Sequence, residues 1–185
     1  MRLFIAIELD AAVRHALWTA TAAMREAAPT VRWTAERSLH LTLRFLGEQP
    51  EALAERLTVD LHRVASRHAA FPIELTGLGA FPNRRRPRIL WAGIAAEPRL
   101  ELLYHDVALA CDAVGLSPEG RAFRPHVTIG RADRAAPAEL AGLDRAARAA
   151  RVALTSHVTS VDLMRSELTP GGARHSRIAA ARLGA

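Results

Sequence analysis

The sequence predicts an α+β fold of two similar lobes related by a pseudo-twofold axis. Three observations carry that expectation. The stretches LHLTLRFL (39–46) and FRPHVTIGR (123–131) each set a histidine two places before a threonine in a strand-like apolar run, and His40 and His126 stand 86 positions apart. The order strand, helix, His-x-Thr strand, helix, closing strands reads out twice, over about 1–87 and again over 88–185. No segment between the halves is rich enough in Gly or Ser to act as a free linker, so the chain is expected to form one two-lobed domain.

The elements follow in order. RLFIAIE (2–8) alternates as a strand, and 10–28 carry Val13, Leu17 and Met24 at helical spacing. After the first His-x-Thr strand, Pro50 opens a helix over 50–69 with Leu53, Leu57, Leu61 and Val64 on one stripe, and a strand follows at 72–78. The turn-rich GAFPNRRRP ends the first half. RILWAGI (88–94) restarts the pattern, with Arg88 placed 86 positions after Arg2 at what reads as an equivalent point. A helix over 97–115 keeps Leu100, Leu103, Val107 and Cys111 in register, and Gly115 ends it. The second His-x-Thr strand covers 124–131, and an Ala-rich helix covers 136–150. Strands at 151–166 and 174–181, parted by a Pro-Gly-Gly turn at 170–172, close the chain. Lobes of this kind can exchange strands.

Composition narrows the function classes. With 185 residues, 50% hydrophobic and 24% charged, the chain reads as an ordinary globular protein able to bury a sizeable core. Its apolar runs are broken by charges well short of the roughly 18 residues a membrane span needs. MRLFIAIELDAAV reads as an opening strand, not a secretory signal, so a cytoplasmic location without membrane partners is expected. The single cysteine, Cys111, excludes internal disulfides and Cys clusters, and its apolar neighbours read it as a small buried hydrophobe. Net charge is +6, carried by 25 basic residues that are all arginine. Arg84, Arg85, Arg86 and Arg88 form one cluster, and Arg121, Arg124 and Arg131 bracket the second motif. Guanidinium groups suit phosphate, so the first cluster reads equally as a solvated loop or a polynucleotide contact.

Residues i and i+2 of a strand share a face. His40 and Thr42 therefore point one way, with Leu39, Leu41, Leu43 and Phe45 expected in the core. His126 and Thr128 share a face against Val127 and Ile129. A pseudo-twofold would bring both faces to one cleft, where two imidazoles can divide the work of acid and base across a phosphorus centre. Threonine hydroxyls can donate to the non-bridging oxygens. A lone His-x-Thr is usually an alternating strand with a polar face; two copies at equivalent places weigh toward catalysis. A zinc site lacks a His-Glu-x-x-His pattern or a carboxylate at ligand spacing, and a Ser-His-Asp site lacks its Gly-x-Ser-x-Gly elbow. No metal or cofactor is expected. The other six histidines (15, 62, 68, 105, 157 and 175) show no pairing and read as structural.

LHLTLRFLG and FRPHVTIGR, with MRLFIAIEL before them, GLGAFPNRRRPRILWAG between and MRSELTPGGARH after, resemble the bacterial and archaeal RNA 2′,3′-cyclic phosphodiesterases of the two-histidine phosphoesterase superfamily, also known as 2′-5′ RNA ligases. The resemblance implies two antiparallel sheets with helices outside and the active cleft between lobes. It implies hydrolysis of terminal 2′,3′-cyclic phosphates to 2′-phosphates, with reverse 2′-5′ ligation open to the same centre. It makes His40 the proton donor to the leaving 3′ oxygen and His126 the proton acceptor that activates water, and assigns Thr42 and Thr128 to the phosphate. Arg131 sits where relatives often carry an arginine, although alternation alone would point it away from His126. Relatives often have an aromatic where this chain has His175. The expected partner is RNA or a nucleotide bearing a 2′,3′-cyclic phosphate, met by a monomer. Small cyclic-phosphate nucleotides, 2′-5′ oligonucleotides, or RNA bound without turnover remain alternatives.

Overall fold

The computed structural model describes residues 1–132, 135–169 and 172–184. Among them, nine strands form one antiparallel sheet: β1 (Arg2–Glu8), β2 (Arg32–Trp33), β3 (His40–Glu48), β4 (Phe71–Phe81), β5 (Ile89–Ile94), β6 (His126–Arg131), β7 (Ala153–Val158), β8 (Ser160–Thr169) and β9 (Gly172–Arg182). The order across the sheet is β7-β4-β5-β6-β3-β1-β8-β9, with β2 also paired to β6. The two expected sheets are the two four-stranded halves of this order, joined where β3 meets β6. A single register pair, Leu41 with Val127, makes the join, and both side chains are fully buried. The helices α1 (Ala11–Ala20), α2 (Ala22–Ala27), α3 (Glu51–Ala65), α4 (Pro98–Ala113) and α5 (Pro137–Ala149) cover the apolar face. One continuous core runs beneath both halves, from Leu3, Ile5 and Ile7 to Val127 and Ile129.

Several expectations are adjusted by local chemistry. The helix expected over 10–28 is two helices, broken at Thr21, whose hydroxyl donates to the Leu17 and Trp18 carbonyls at 2.9 and 3.1 Å. The strand expected over 151–166 is also two. Thr159 ends β7, which pairs β4 at one edge, and β8 then pairs β1 in the other half. One residue thus takes the chain from an edge strand of one half to the second strand of the other, a step that alternation cannot reveal. Gly115, at φ 88, ends α4 as expected, and Cys111 is buried, its thiol pushed up to about 11, chiefly by that burial. The Pro-Gly-Gly turn falls at residues 170 and 171 outside the described residues.

The two His-x-Thr strands share one irregularity. Ala6 pairs with Thr42 but Ile5 with Arg44, which leaves Leu43 as an extra residue, a β-bulge. Trp91 pairs with Thr128 but Leu90 with Gly130, leaving Ile129 extra at the matching place. Each bulge reverses the alternation beyond it. Phe45, expected in the core, is therefore 61% exposed, while Arg44 turns inward. Burial along the first six residues of β3 repeats in β6, residue for residue. The matched strands before them lie one residue closer, since Phe45 pairs Phe4 and Arg131 pairs Ile89. Arg2 and Arg88 are therefore one register step out of equivalence.

Candidate active site

The Leu41–Val127 pair sets the geometry of the site. In an antiparallel pair with that register, His40 lies across from Thr128 and Thr42 across from His126. Because Leu41 and Val127 point into the core, all four polar side chains share the opposite face. The two imidazoles are diagonal neighbours on that face, a relation that separates positions by roughly 7–8 Å. Each histidine is thereby set beside the threonine of the other motif. All four residues are partly buried, and among the described residues neither threonine hydroxyl has a partner within the protein.

Both rings are anchored alike. His40 Nδ1 lies 2.7 Å from the Ser38 carbonyl, and His126 Nδ1 lies 2.6 Å from the Arg124 carbonyl. A carbonyl only accepts, so Nδ1 carries the hydrogen and donates it, and Nε2 is left for proton exchange. Each ring also rests against an aromatic: Phe4 at 5.1 Å from His40, and Phe81 at 5.2 Å edge-on to His126. Phe81 leans on Trp91, whose indole lies over Gly79, where a Cβ would come within 2.2 Å of it. Glycine is the residue that fits there.

The surroundings differ between the two sides. Burial pushes the His40 imidazole down to about 4; the Ser38 carbonyl works against that shift, and His175 adds to it. His175 is the unexpected member, packing edge-on to His40 at 5.3 Å and to Phe4 at 4.9 Å, with its own pKa lowered by burial. The resemblance marks its position as one where relatives often have an aromatic, but its place beside His40 follows from the β8–β9 pairing. Glu8, the register partner of His40, holds Arg177 at 3.1 Å. Asp162, fully buried on the same face through its pairing with Ala6, accepts from Ser160 at 2.9 Å; burial raises its pKa. Beyond the second bulge, Arg131 returns to the His126 face, and its exposed guanidinium has no partner among the described residues. No group of three or more His, Cys, Asp or Glu suited to a metal ion occurs among the described residues, and no helix there is long and apolar enough to cross a membrane.

Arg44 was not legible as part of the site's support. It is 2% exposed, and its guanidinium donates to the Ala108 carbonyl at 3.0 Å, Asp112 Oδ1 at 3.0 Å and the Ser117 carbonyl at 2.7 Å. It therefore ties the strand of His40 and Thr42 to the segment leading into Arg124 and His126. The signal that could have found it is an arginine in an otherwise apolar strand, with no exposed position free for it once the bulge is counted.

Fold and site together define an α+β protein with two His-x-Thr strands meeting on one face of a curled antiparallel sheet. The chain belongs to the 2′-5′ RNA ligase superfamily, whose family model matches residues 13–170. It is 36% identical over 180 residues to the RNA 2′,3′-cyclic phosphodiesterase of Thermus thermophilus, covering 93% of this chain and 85% of that protein. It is 37% identical over 128 residues to the RNA 2′,3′-cyclic phosphodiesterase of Geobacillus stearothermophilus, a match covering 69% of this chain and 41% of that longer protein. A crystal structure of a Thermus thermophilus protein superposes with a TM-score of 0.81 at 32% identity, over 99% of this chain and 98% of that one.

Proposed function

We propose that this chain hydrolyses the terminal 2′,3′-cyclic phosphate of RNA to a 2′-phosphate, with His40 as acid, His126 as base, and Thr42, Thr128 and Arg131 holding the phosphate. The observation that carries the reading is the matched pair of Nδ1–carbonyl anchors, which leaves two Nε2 atoms available on one face. Water enters on the His126 side. As its oxygen bonds to phosphorus, its proton passes to Nε2 of His126, the bond from phosphorus to O3′ breaks, and Nε2–H of His40 protonates O3′. The products are a 2′-phosphate and a free 3′-hydroxyl. With a 5′-hydroxyl in the place of water, the same displacement forms a 2′-5′ linkage. The threonine hydroxyls and Arg131 balance charge on the non-bridging oxygens. The strained ring lowers the demand on the site, so two proton transfers of ~10²–10⁴ each suffice without a metal. The protein acts as one two-lobed domain and as a monomer in the cytoplasm.

The test is phosphorus NMR of an RNA bearing a 2′,3′-cyclic end. The wild type yields the 2′-phosphate in the presence of chelator, and His40→Ala and His126→Ala each lose at least ~10²-fold in kcat while retaining their far-UV CD. Wild-type turnover in either variant would end the assignment.

A further inference from the structure

We infer that the cyclic phosphate reaches the cleft as the end of a polynucleotide whose upstream phosphates cross the arginine loop between β4 and β5. The inference rests on the phosphodiesterase reading above and adds the substrate's size and direction. A 2′,3′-cyclic phosphate closes the last nucleotide, so every other phosphate of the RNA lies on its 5′ side and must leave the cleft over one rim.

The two rims differ in charge. On the His126 side, residues 82–94 and 120–132 contain no Asp or Glu, with Glu119 and Asp133 next in sequence beyond the second stretch. Arg85, Arg86, Arg88, Arg121, Arg124 and Arg131 are exposed there, and none of these side chains has a hydrogen-bond or ion-pair partner among the described residues. On the His40 side, carboxylates interleave with the arginines: Arg177 is held by Glu8 at 3.1 Å and Arg165 by Glu167 at 2.7 Å, with Asp162 beneath. Arg2 and Arg174 are exposed and, among the described residues, unpaired on that side too, but a polyanion leaving the cleft meets the denser set of unpaired guanidinium groups over the His126 rim.

The loop is also shaped for the task. Arg84 is spent on structure, donating to the Leu78 carbonyl at 2.6 Å and pairing Asp144 at 3.3 Å, which fastens the loop to β4 and α5. Asn83 Oδ1 accepts the backbone N–H groups of Arg85 and Arg86 at 3.0 Å each, a turn that sends those two side chains into solvent. The loop begins one residue after Phe81, whose ring touches His126, and it ends at Ile89, the register partner of Arg131. It is an extension of the site wall. A solvated loop has no need to hold bare guanidinium groups in a fixed turn; a phosphate track does, because preorganisation lowers the cost of ordering them.

The experiment compares kcat/KM for a 2′,3′-cyclic mononucleotide with that for 2-, 4- and 8-nucleotide RNAs ending in a cyclic phosphate, over a salt series. The proteins are wild type, Arg85→Gln/Arg86→Gln, and the equal-charge control Arg56→Gln/Arg67→Gln on and after α3. In wild type the octamer exceeds the mononucleotide by more than tenfold at low salt. The loop variant loses most of that ratio, and its salt slope for the octamer falls by about 1.4, the value for two phosphate contacts on a single strand. The control variant keeps both. A wild-type ratio near one, or a loop variant that matches the control, overturns the inference while mononucleotide turnover leaves the phosphodiesterase reading standing. No turnover of any cyclic phosphate overturns both.

Discussion

His40 and His126 share an anchor but not an environment, and the difference decides how pH should act. With its pKa near 4, His40 is neutral in the free protein at pH 7, yet the proposed donor must carry a proton. A bound phosphate anion beside Nε2 favours the charged ring and raises that pKa in the complex. A donor must be protonated, so activity is lost as pH rises through its pKa. The reactive form needs one ring protonated and the other not, so donor and acceptor are told apart by the leaving group and not by the limbs of a pH profile. With sulfur in place of the bridging 3′ oxygen, the leaving group departs as a thiolate and needs no acid. On that substrate His40→Ala should turn over within about tenfold of wild type while His126→Ala stays at least ~10²-fold slower, and equal losses in the two variants would sink the donor assignment. The same shift acts on folding. Between about pH 6.5 and 4 the unfolded chain binds the proton that folded His40 refuses, so stability falls as pH drops through that window. The two histidines and two threonines could be read from i, i+2 spacing alone. His175 and Asp162 could not, because they reach this face only through the pairing of β8 with β1 and β9.

At the scale of the element, the bulges at Leu43 and Ile129 do what regular strands cannot. They keep His-x-Thr on one face and then turn the next residues over, sending Arg44 inward and Arg131 outward. Strict alternation read the strands and their polar faces correctly as far as the bulge and failed at the residue after it. LTLRFL carries no residue-type mark of its bulge, and Gly130 in VTIGR is the one residue that points to the other. The inward Arg44 should matter both to stability and to alignment. Arg44→Met removes the donor for two carbonyls and the partner of Asp112, and should cost about 2–4 kcal/mol. It should also lower kcat more than tenfold, since the segment it holds leads to the carbonyl that anchors His126 and small misplacements at a reacting centre are expensive in rate. Chemical denaturation together with kcat measured well below the melting temperature checks both. A stable, fully active Arg44→Met would show that the clamp is incidental.

For the whole molecule, the duplication is visible in the sequence, but its assembly is not. The first half of the chain lends β4 to a group with β5, β6 and β7 from the second, and the second half returns β8 and β9 to a group with β1 and β3. Nearest-neighbour spacing carries no information about such an exchange. Its consequence is that neither half of the sequence contains a complete half of the sheet, and one core lies under both. Unfolding should therefore be a single cooperative event across the chain. Leu41→Ala, at the join, tests this because the residue belongs to one half and packs against the other. It should remove roughly 2–5 kcal/mol. Hydrogen exchange should then show amides of β4, β5 and β7 losing as much protection as those of β1 and β8. Loss confined to the β1 group, or two separate melting transitions, would mean that the halves are independent bodies, and that the seam placing His40 opposite Thr128 is a contact the fold can do without.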